Sequence, residues 1–121
     1  MGIFNSFEEI NSWKKARLFN KRIYEITDGI IFKKDYDLVR QIRRASISIS
    51  SNIAEGYERN TDKEFVYFLY IAKASAGEVR SQLYLALDLN YITKEDFDEL
   101  FDNVSDISKL IRGFIKYLNK S

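Results

Sequence analysis

Basic side chains in the first half of the sequence are the residues whose chemistry is easiest to assign. Ammonium and guanidinium groups on neighbouring helices can contact successive phosphates of a nucleic acid. The competing interpretation is a solvated surface, with Arg43 or Arg44 paired to Glu55 or Glu78. The candidate phosphate-contacting residues are Lys14, Lys15, Arg17, Lys21, Arg22, Arg40, Arg43 and Arg44.

The overall charge of the chain argues against a dedicated nucleic-acid-binding protein, but the distribution of that charge is uneven. Nineteen basic and eighteen acidic residues give a net charge of +1, whereas such proteins are usually strongly basic. Residues 1–60 hold eleven basic and eight acidic residues (+3), and residues 61–121 hold eight and ten (−2). An oligomer would bring several copies of the basic half together and raise their joint affinity.

Carboxylates in the last third of the chain are the other group that could support chemistry. They fall on the polar face of one amphipathic helix, where a solvated surface is the simpler explanation. The sequence has no His and no Cys, which excludes Cys or His zinc sites, thiol nucleophiles, Ser-His-Asp relays and Glu-x-x-His di-iron sites. We therefore expect no enzyme activity, no catalytic residue, no metal and no cofactor. The carboxylates are Asp96, Asp98, Glu99, Asp102 and Asp106.

Apolar residues recur every three or four positions and proline is absent, which predicts an all-α protein. Helix-capping residues divide the chain into four segments: Ser12, Asp35 or Asp37, and Thr61 with Glu64 can begin helices, and Asn90 can end one. A polar connection is expected at residues 32–36. Short links favour antiparallel neighbours, so we predict one domain (1–121) folded as an up-down four-helix bundle. The expected helices span about 12–29, 36–57, 61–89 and 93–119.

The second and third helices carry more apolar surface than one bundle core needs. A helix that faces a single core needs one apolar stripe, but the third helix has a second one on roughly the opposite side. We predict that these outer faces form a subunit interface, as an isologous dimer or a head-to-tail ring. The alternative is an irregular bundle with the third helix at its centre. The predicted interface residues are Ile47, Ala54, Tyr67, Ile71, Ala74 and Leu85.

The run Asn52, Glu55 and Gly56 is distinctive, and it has both a site interpretation and a structural one. As a site, the two polar side chains would contact a ligand at a helix end. As structure, Asn52 bonds to backbone, Glu55 pairs with an Arg across a subunit boundary, and Gly56 permits close packing of a neighbouring helix. The structural interpretation is favoured.

Nothing in the sequence predicts a membrane association. No apolar run approaches the roughly 20 residues that a membrane-spanning helix needs. The N-terminal Met-Gly-Ile-Phe is followed too closely by Glu8 and Glu9 to resemble a signal peptide, so we expect a cytoplasmic protein.

The segment Gln41–Tyr57, QIRRASISISSNIAEGY, resembles the bacterial four-helix bundle proteins encoded within 23S rRNA intervening sequences. Trp13–Ala16 and the pattern from Phe65 to Tyr91 resemble the same family. The chain departs from it at Ser50, where the family typically has Pro, and at Ser46, where Ala is usual and where the hydroxyl can bond to helix backbone. The motif residues are Gln41, Arg43, Arg44, Asn52, Glu55, Gly56 and Tyr57.

This resemblance implies a four-helix bundle that assembles as a homopentameric ring, without implying a settled activity. Such proteins are similar to the accessory variability determinant of diversity-generating retroelements, a basic pentameric bundle that binds a reverse transcriptase and nucleic acid. The implied partners are therefore further copies of the chain and RNA, DNA or a nucleic-acid enzyme. The alternative function is a purely structural or protein-binding oligomer.

Overall fold

The computed structural model describes residues 4–120 of the chain and shows four α-helices in this range: α1 (Asn11–Thr27), α2 (Tyr36–Tyr57), α3 (Asp62–Asp88) and α4 (Lys94–Asn119). Each helix packs against the next, and α4 also packs against α1. The predicted all-α, up-down four-helix bundle is confirmed. Residues 1–3, on which part of the signal-peptide expectation falls, lie outside this range.

The starts of α2 and α3 and the end of α3 follow the predicted capping residues. The backbone N–H groups of Leu38 and Glu64 donate to the side-chain oxygens of Asp35 and Thr61, each over 3.1 Å. Asn90 ends α3 with a positive φ of 61°, a backbone conformation that Asn adopts at low cost. There the N–H of Tyr91 donates to the carbonyl of Ala86 and that of Asn90 to the carbonyl of Leu87, which is a Schellman motif.

The start of α1 was predicted to within one residue, but its capping residue and its end were predicted wrongly. The helix begins at Asn11 after Ile10, which makes no side-chain cap, and the Ser12 side chain is buried in the bundle instead of capping the helix. The helix ends at Thr27, two residues before the expected 29. The following link forms a 3-10 turn at Phe32–Lys34.

The link between α1 and α2 is only partly the polar connection that the sequence suggested. Phe32 is completely buried, and its ring lies 5.1 Å from that of Tyr91. The Tyr91 hydroxyl donates to Asp35 over 2.9 Å. The link therefore returns to the core through one aromatic side chain.

Gly56 determines how closely α2 and α3 approach each other. A Cβ atom at this position would lie 2.8 Å from both Phe65 Cδ1 and Phe68 Cβ, closer than carbon atoms can pack. The expectation that Gly56 permits a neighbouring helix to come close is confirmed.

Candidate nucleic-acid interface

Arg43 is fixed in place at the seam between α1 and α2. Its Nε donates to the hydroxyl of Thr27 over 2.8 Å, and that hydroxyl donates in turn to the carbonyl of Ile23. The Arg43 guanidinium lies over the Tyr24 ring, 4.2 Å from its centroid, in a cation–π contact. Its partners are therefore neutral, so that its positive charge is not neutralised by a carboxylate such as Glu55 or Glu78.

Arg43 lines a surface groove of about 450 Å³ between α1 and α2. Among the described residues that line this groove, none is acidic. Arg40 forms an ion pair of 3.0 Å with Asp37, but both side chains are largely exposed, so a phosphate can compete for Arg40 at little cost. Arg44 makes no ion pair within residues 4–120. The groove, called here the arginine groove, is lined by Tyr24, Tyr36, Val39, Arg40, Arg43, Arg44 and Ile47.

The basic residues of α1 do not line the arginine groove, and Lys15, Lys21 and Arg22 line a separate groove between α1 and α4. Lys14, Lys15 and Lys21 are exposed and form no ion pair with any residue between 4 and 120. The Arg17 guanidinium lies 5.9 Å from the centroid of the Trp13 ring. The sequence of α1 contains five basic residues and one acidic residue, so this helix has the largest net positive charge of the four helices, +4.

Arg22, which was expected among the phosphate contacts, points away from the arginine groove toward α4. Its Nε and Nη2 donate to the two carboxylate oxygens of Glu99 over 3.1 and 3.0 Å, and Nη2 also donates to Asp96. Hydrogen bonding from Arg22 holds the pKa of the Glu99 carboxyl below its usual value, and the same bond raises the pKa of Arg22. Because two carboxylates already neutralise Arg22, we do not include this residue among the proposed phosphate contacts.

A second groove, between α1 and α4, has a different electrostatic character. It has a volume of about 370 Å³ and includes Lys15, Lys21 and Arg22. Glu25, Glu99 and Asp106 line it as well, so the charges of its walls nearly balance. The arginine groove is therefore the better of the two for an anionic ligand.

The predicted interface residues lie at the surface of α2 and α3. Tyr67 is 63% exposed, Ile47, Ala74 and Leu85 are also exposed, and Ala54 and Ile71 are half-buried. Their role between subunits stays a prediction. The structure also exposes large apolar side chains that the sequence did not single out, among them Leu18, Ile31, Tyr36, Tyr70 and Tyr84.

The distinctive polar run at the end of α2 has structural partners inside the chain. The Asn52 side-chain amide donates to the Ser48 carbonyl over 2.8 Å, the expected backbone bond, and also to the Ser48 hydroxyl. The carboxylate of Glu55 forms an ion pair of 2.8 Å with Arg59, four residues later in the same chain. The sequence had suggested an arginine across a subunit boundary instead. The hydroxyl of Tyr57 donates to the Phe4 carbonyl.

The two serines that depart from the family pattern both bond to Asn20 on α1. The Ser46 hydroxyl donates to Asn20 Oδ1 over 2.7 Å, and Asn20 Nδ2 donates to the Ser50 hydroxyl over 2.9 Å. The bond to helix backbone that was expected of Ser46 is made by Ser50, which donates to the Ile47 carbonyl. Asn20 was not singled out from the sequence because its partners lie on another helix.

Sequence reasoning also missed the aromatic side of the arginine groove, formed by Tyr24 and Tyr36. One signal was available, since Tyr36, Arg40, Arg44 and Ile47 are spaced by three or four residues and so share one face of α2. Tyr24 carries no such signal, because its position beside Arg43 depends on how α1 and α2 pack.

Neither a metal site nor a membrane span is found in the described part of the chain. Between residues 4 and 120 no three His, Cys, Asp or Glu side chains are grouped so that they could hold a metal ion. No helix in the same range is both long and apolar enough to cross a bilayer.

Comparisons with known proteins find a matching family model and a similar solved structure. A family model described as "23S rRNA-intervening sequence protein" matches residues 8–113. A crystal structure of a protein with unknown function from the S23 ribosomal protein family of Bacteroides thetaiotaomicron is similar, with a TM-score of 0.81 and 28% sequence identity. The match covers 87% of this chain and 95% of that one. A search of the curated proteins finds no match. Neither similarity indicates an enzyme family.

Proposed function

The chain belongs to the 23S rRNA-intervening sequence protein family, and we propose that it is a non-enzymatic, homo-oligomeric bundle that binds nucleic acid through α1 and α2. The observation that carries the proposal is the arginine groove. Three arginines line this groove with no acidic residue among the described lining, and Arg43 is held in place before any ligand arrives. A guanidinium group held in place like that of Arg43 loses little side-chain entropy when it contacts a phosphate.

Assembly would compensate for the low net charge of one chain. The exposed apolar residues on α2 and α3 supply the contact surface, and an assembly would present several arginine grooves to one nucleic acid. A ring of five is the arrangement that the family resemblance implies. The similarity to the accessory variability determinant adds a nucleic-acid enzyme as a further proposed partner.

The test of nucleic-acid binding is a titration of a structured RNA at two salt concentrations. Each phosphate contact contributes about 0.7 to 0.9 to the slope of log affinity against log salt. The double variant Arg40→Ala/Arg44→Ala should therefore reduce that slope by about 1.5. The matched control is Lys109→Ala/Arg112→Ala, which removes two exposed positive charges from α4, across the bundle, and should leave the slope nearly unchanged. An equal reduction in both variants contradicts the proposed site.

A second candidate function is a purely structural or protein-binding oligomer, and the position of Ile47 favours it. Ile47 is a predicted interface residue, yet it lines the arginine groove beside Arg44. If a neighbouring subunit covers this groove, the arginines serve the contact between subunits. Absence of RNA binding at low salt, together with an oligomer in light scattering, supports this second function. A monomer at micromolar concentration contradicts both candidate functions, because each of them requires an oligomer.

A further inference from the structure

We infer that the arginine groove takes unpaired nucleotides, with a base stacked on Tyr36 and the adjoining phosphates held by Arg40 and Arg44. The inference rests on the proposed function and adds the class of ligand to it.

The exposure of Tyr36 is the first step of the argument. This residue begins α2, is 79% exposed, and makes no ring–ring or cation–π contact with any residue between 4 and 120. A tyrosine ring in water at the edge of a groove leaves apolar surface uncovered, which is unfavourable unless a partner covers it. Asp35 caps the helix immediately before it, so the backbone that carries the ring is held in place.

Arg43 and Tyr24 provide a second planar surface in the same groove. The guanidinium of Arg43 lies over the Tyr24 ring and is held by the hydroxyl of Thr27. Bases stack on guanidinium planes as well as on aromatic rings. A base that enters the groove therefore meets a fixed surface instead of a mobile side chain.

The charges beside these planar groups suit a single strand better than a duplex. A chain of net charge +1 offers few phosphate contacts, so affinity from phosphates alone would be weak. Stacking adds affinity only where bases are unpaired, because a duplex hides the faces of its bases. Val39 and Ile47 also line the groove, and apolar side chains can pack against a base but gain little from a duplex backbone.

The experiment compares a fluorescently labelled single-stranded RNA of about 12 nucleotides, a length within the usual range for one single-strand site, with the same RNA annealed to its complement. Fluorescence anisotropy at low salt measures the affinity of each for the full-length protein. The variants are Tyr36→Ala, Tyr36→Phe, and Tyr70→Ala as the matched control. Tyr70 is a tyrosine on α3 that is 55% exposed and does not line the groove.

We expect the unaltered protein to bind the single strand about tenfold more tightly than the duplex. Tyr36→Ala should weaken binding of the single strand by about tenfold and leave the duplex unchanged, whereas Tyr36→Phe and Tyr70→Ala should bind like the unaltered protein. A single strand and a duplex bound equally, or an unchanged affinity in Tyr36→Ala, overturns the inference and leaves the phosphate contacts of the proposed function standing. No binding of either RNA overturns both.

Discussion

Replacing Gly56 by Ala adds one methyl group at the closest approach of α2 and α3. The new Cβ would lie 2.8 Å from Phe65 Cδ1, 2.8 Å from Phe68 Cβ and 3.2 Å from the Phe65 carbonyl oxygen. A rotation of the Phe65 ring can relieve the first contact. The second involves an atom fixed to the α3 backbone, and so does the third, so the two helices must move apart.

The magnitude follows from two opposing effects. Overpacking in a core costs typically 1 to 3 kcal/mol, and contacts with atoms fixed to the backbone place this substitution near the upper end, at about 2 to 3 kcal/mol. Alanine is more favourable than glycine within a helix by about 1 kcal/mol. We therefore expect Gly56→Ala to lower the free energy of unfolding by about 1 to 2 kcal/mol.

Urea denaturation followed by circular dichroism measures this change. With a slope near 2 kcal/mol per M, the midpoint should fall by about 0.5 to 1 M. Gly113→Ala on α4 is the matched control, because a Cβ there meets nothing within 4 Å, and it should raise stability by about 0.5 to 1 kcal/mol. All variants are compared at one protein concentration, since an oligomer makes the midpoint concentration-dependent. Equal stabilisation by both substitutions would refute the packing argument.

Three further outcomes are expected. Asn20→Leu should lower the free energy of unfolding by about 1 to 3 kcal/mol in thermal or urea melts, because it removes the partner of the buried Ser46 hydroxyl and one of the two partners of the Ser50 hydroxyl; an unchanged midpoint contradicts this. The pKa of the Glu99 carboxyl is below its ordinary value of 4.5, so its bond to Arg22 stabilises the fold above that pH and is lost as the pH falls. Glu99→Gln should therefore reduce the acid-dependent loss of stability, by no more than about 1 kcal/mol because both side chains are partly exposed; a pH profile identical to that of the unaltered protein is the contrary result. Leu85→Glu should shift the mass in light scattering toward the monomer, because a carboxylate cannot be buried unpaired in an interface; an unchanged mass excludes Leu85 from it.

The helices and most of their ends are determined by the sequence alone. A period of 3.6 residues in the apolar positions and the caps at Asp35, Thr61 and Asn90 involve residues close together in the chain, so no knowledge of the packing is needed. The bounds of α2, α3 and α4 were accordingly expected to within one residue. The outward position of Tyr67 and Leu85 on α3 follows from the same periodicity.

The tertiary structure decided which side chains meet across helices, because such contacts depend on the rotation of each helix about its axis. It buried Phe32 in a link that looked polar. It turned Arg22 toward the carboxylates of α4 and Arg43 onto Tyr24. Of the eight basic residues that the sequence could only group by charge, Arg22 is neutralised at the seam between α1 and α4, whereas Arg40, Arg43 and Arg44 line a groove with aromatic and no acidic side chains.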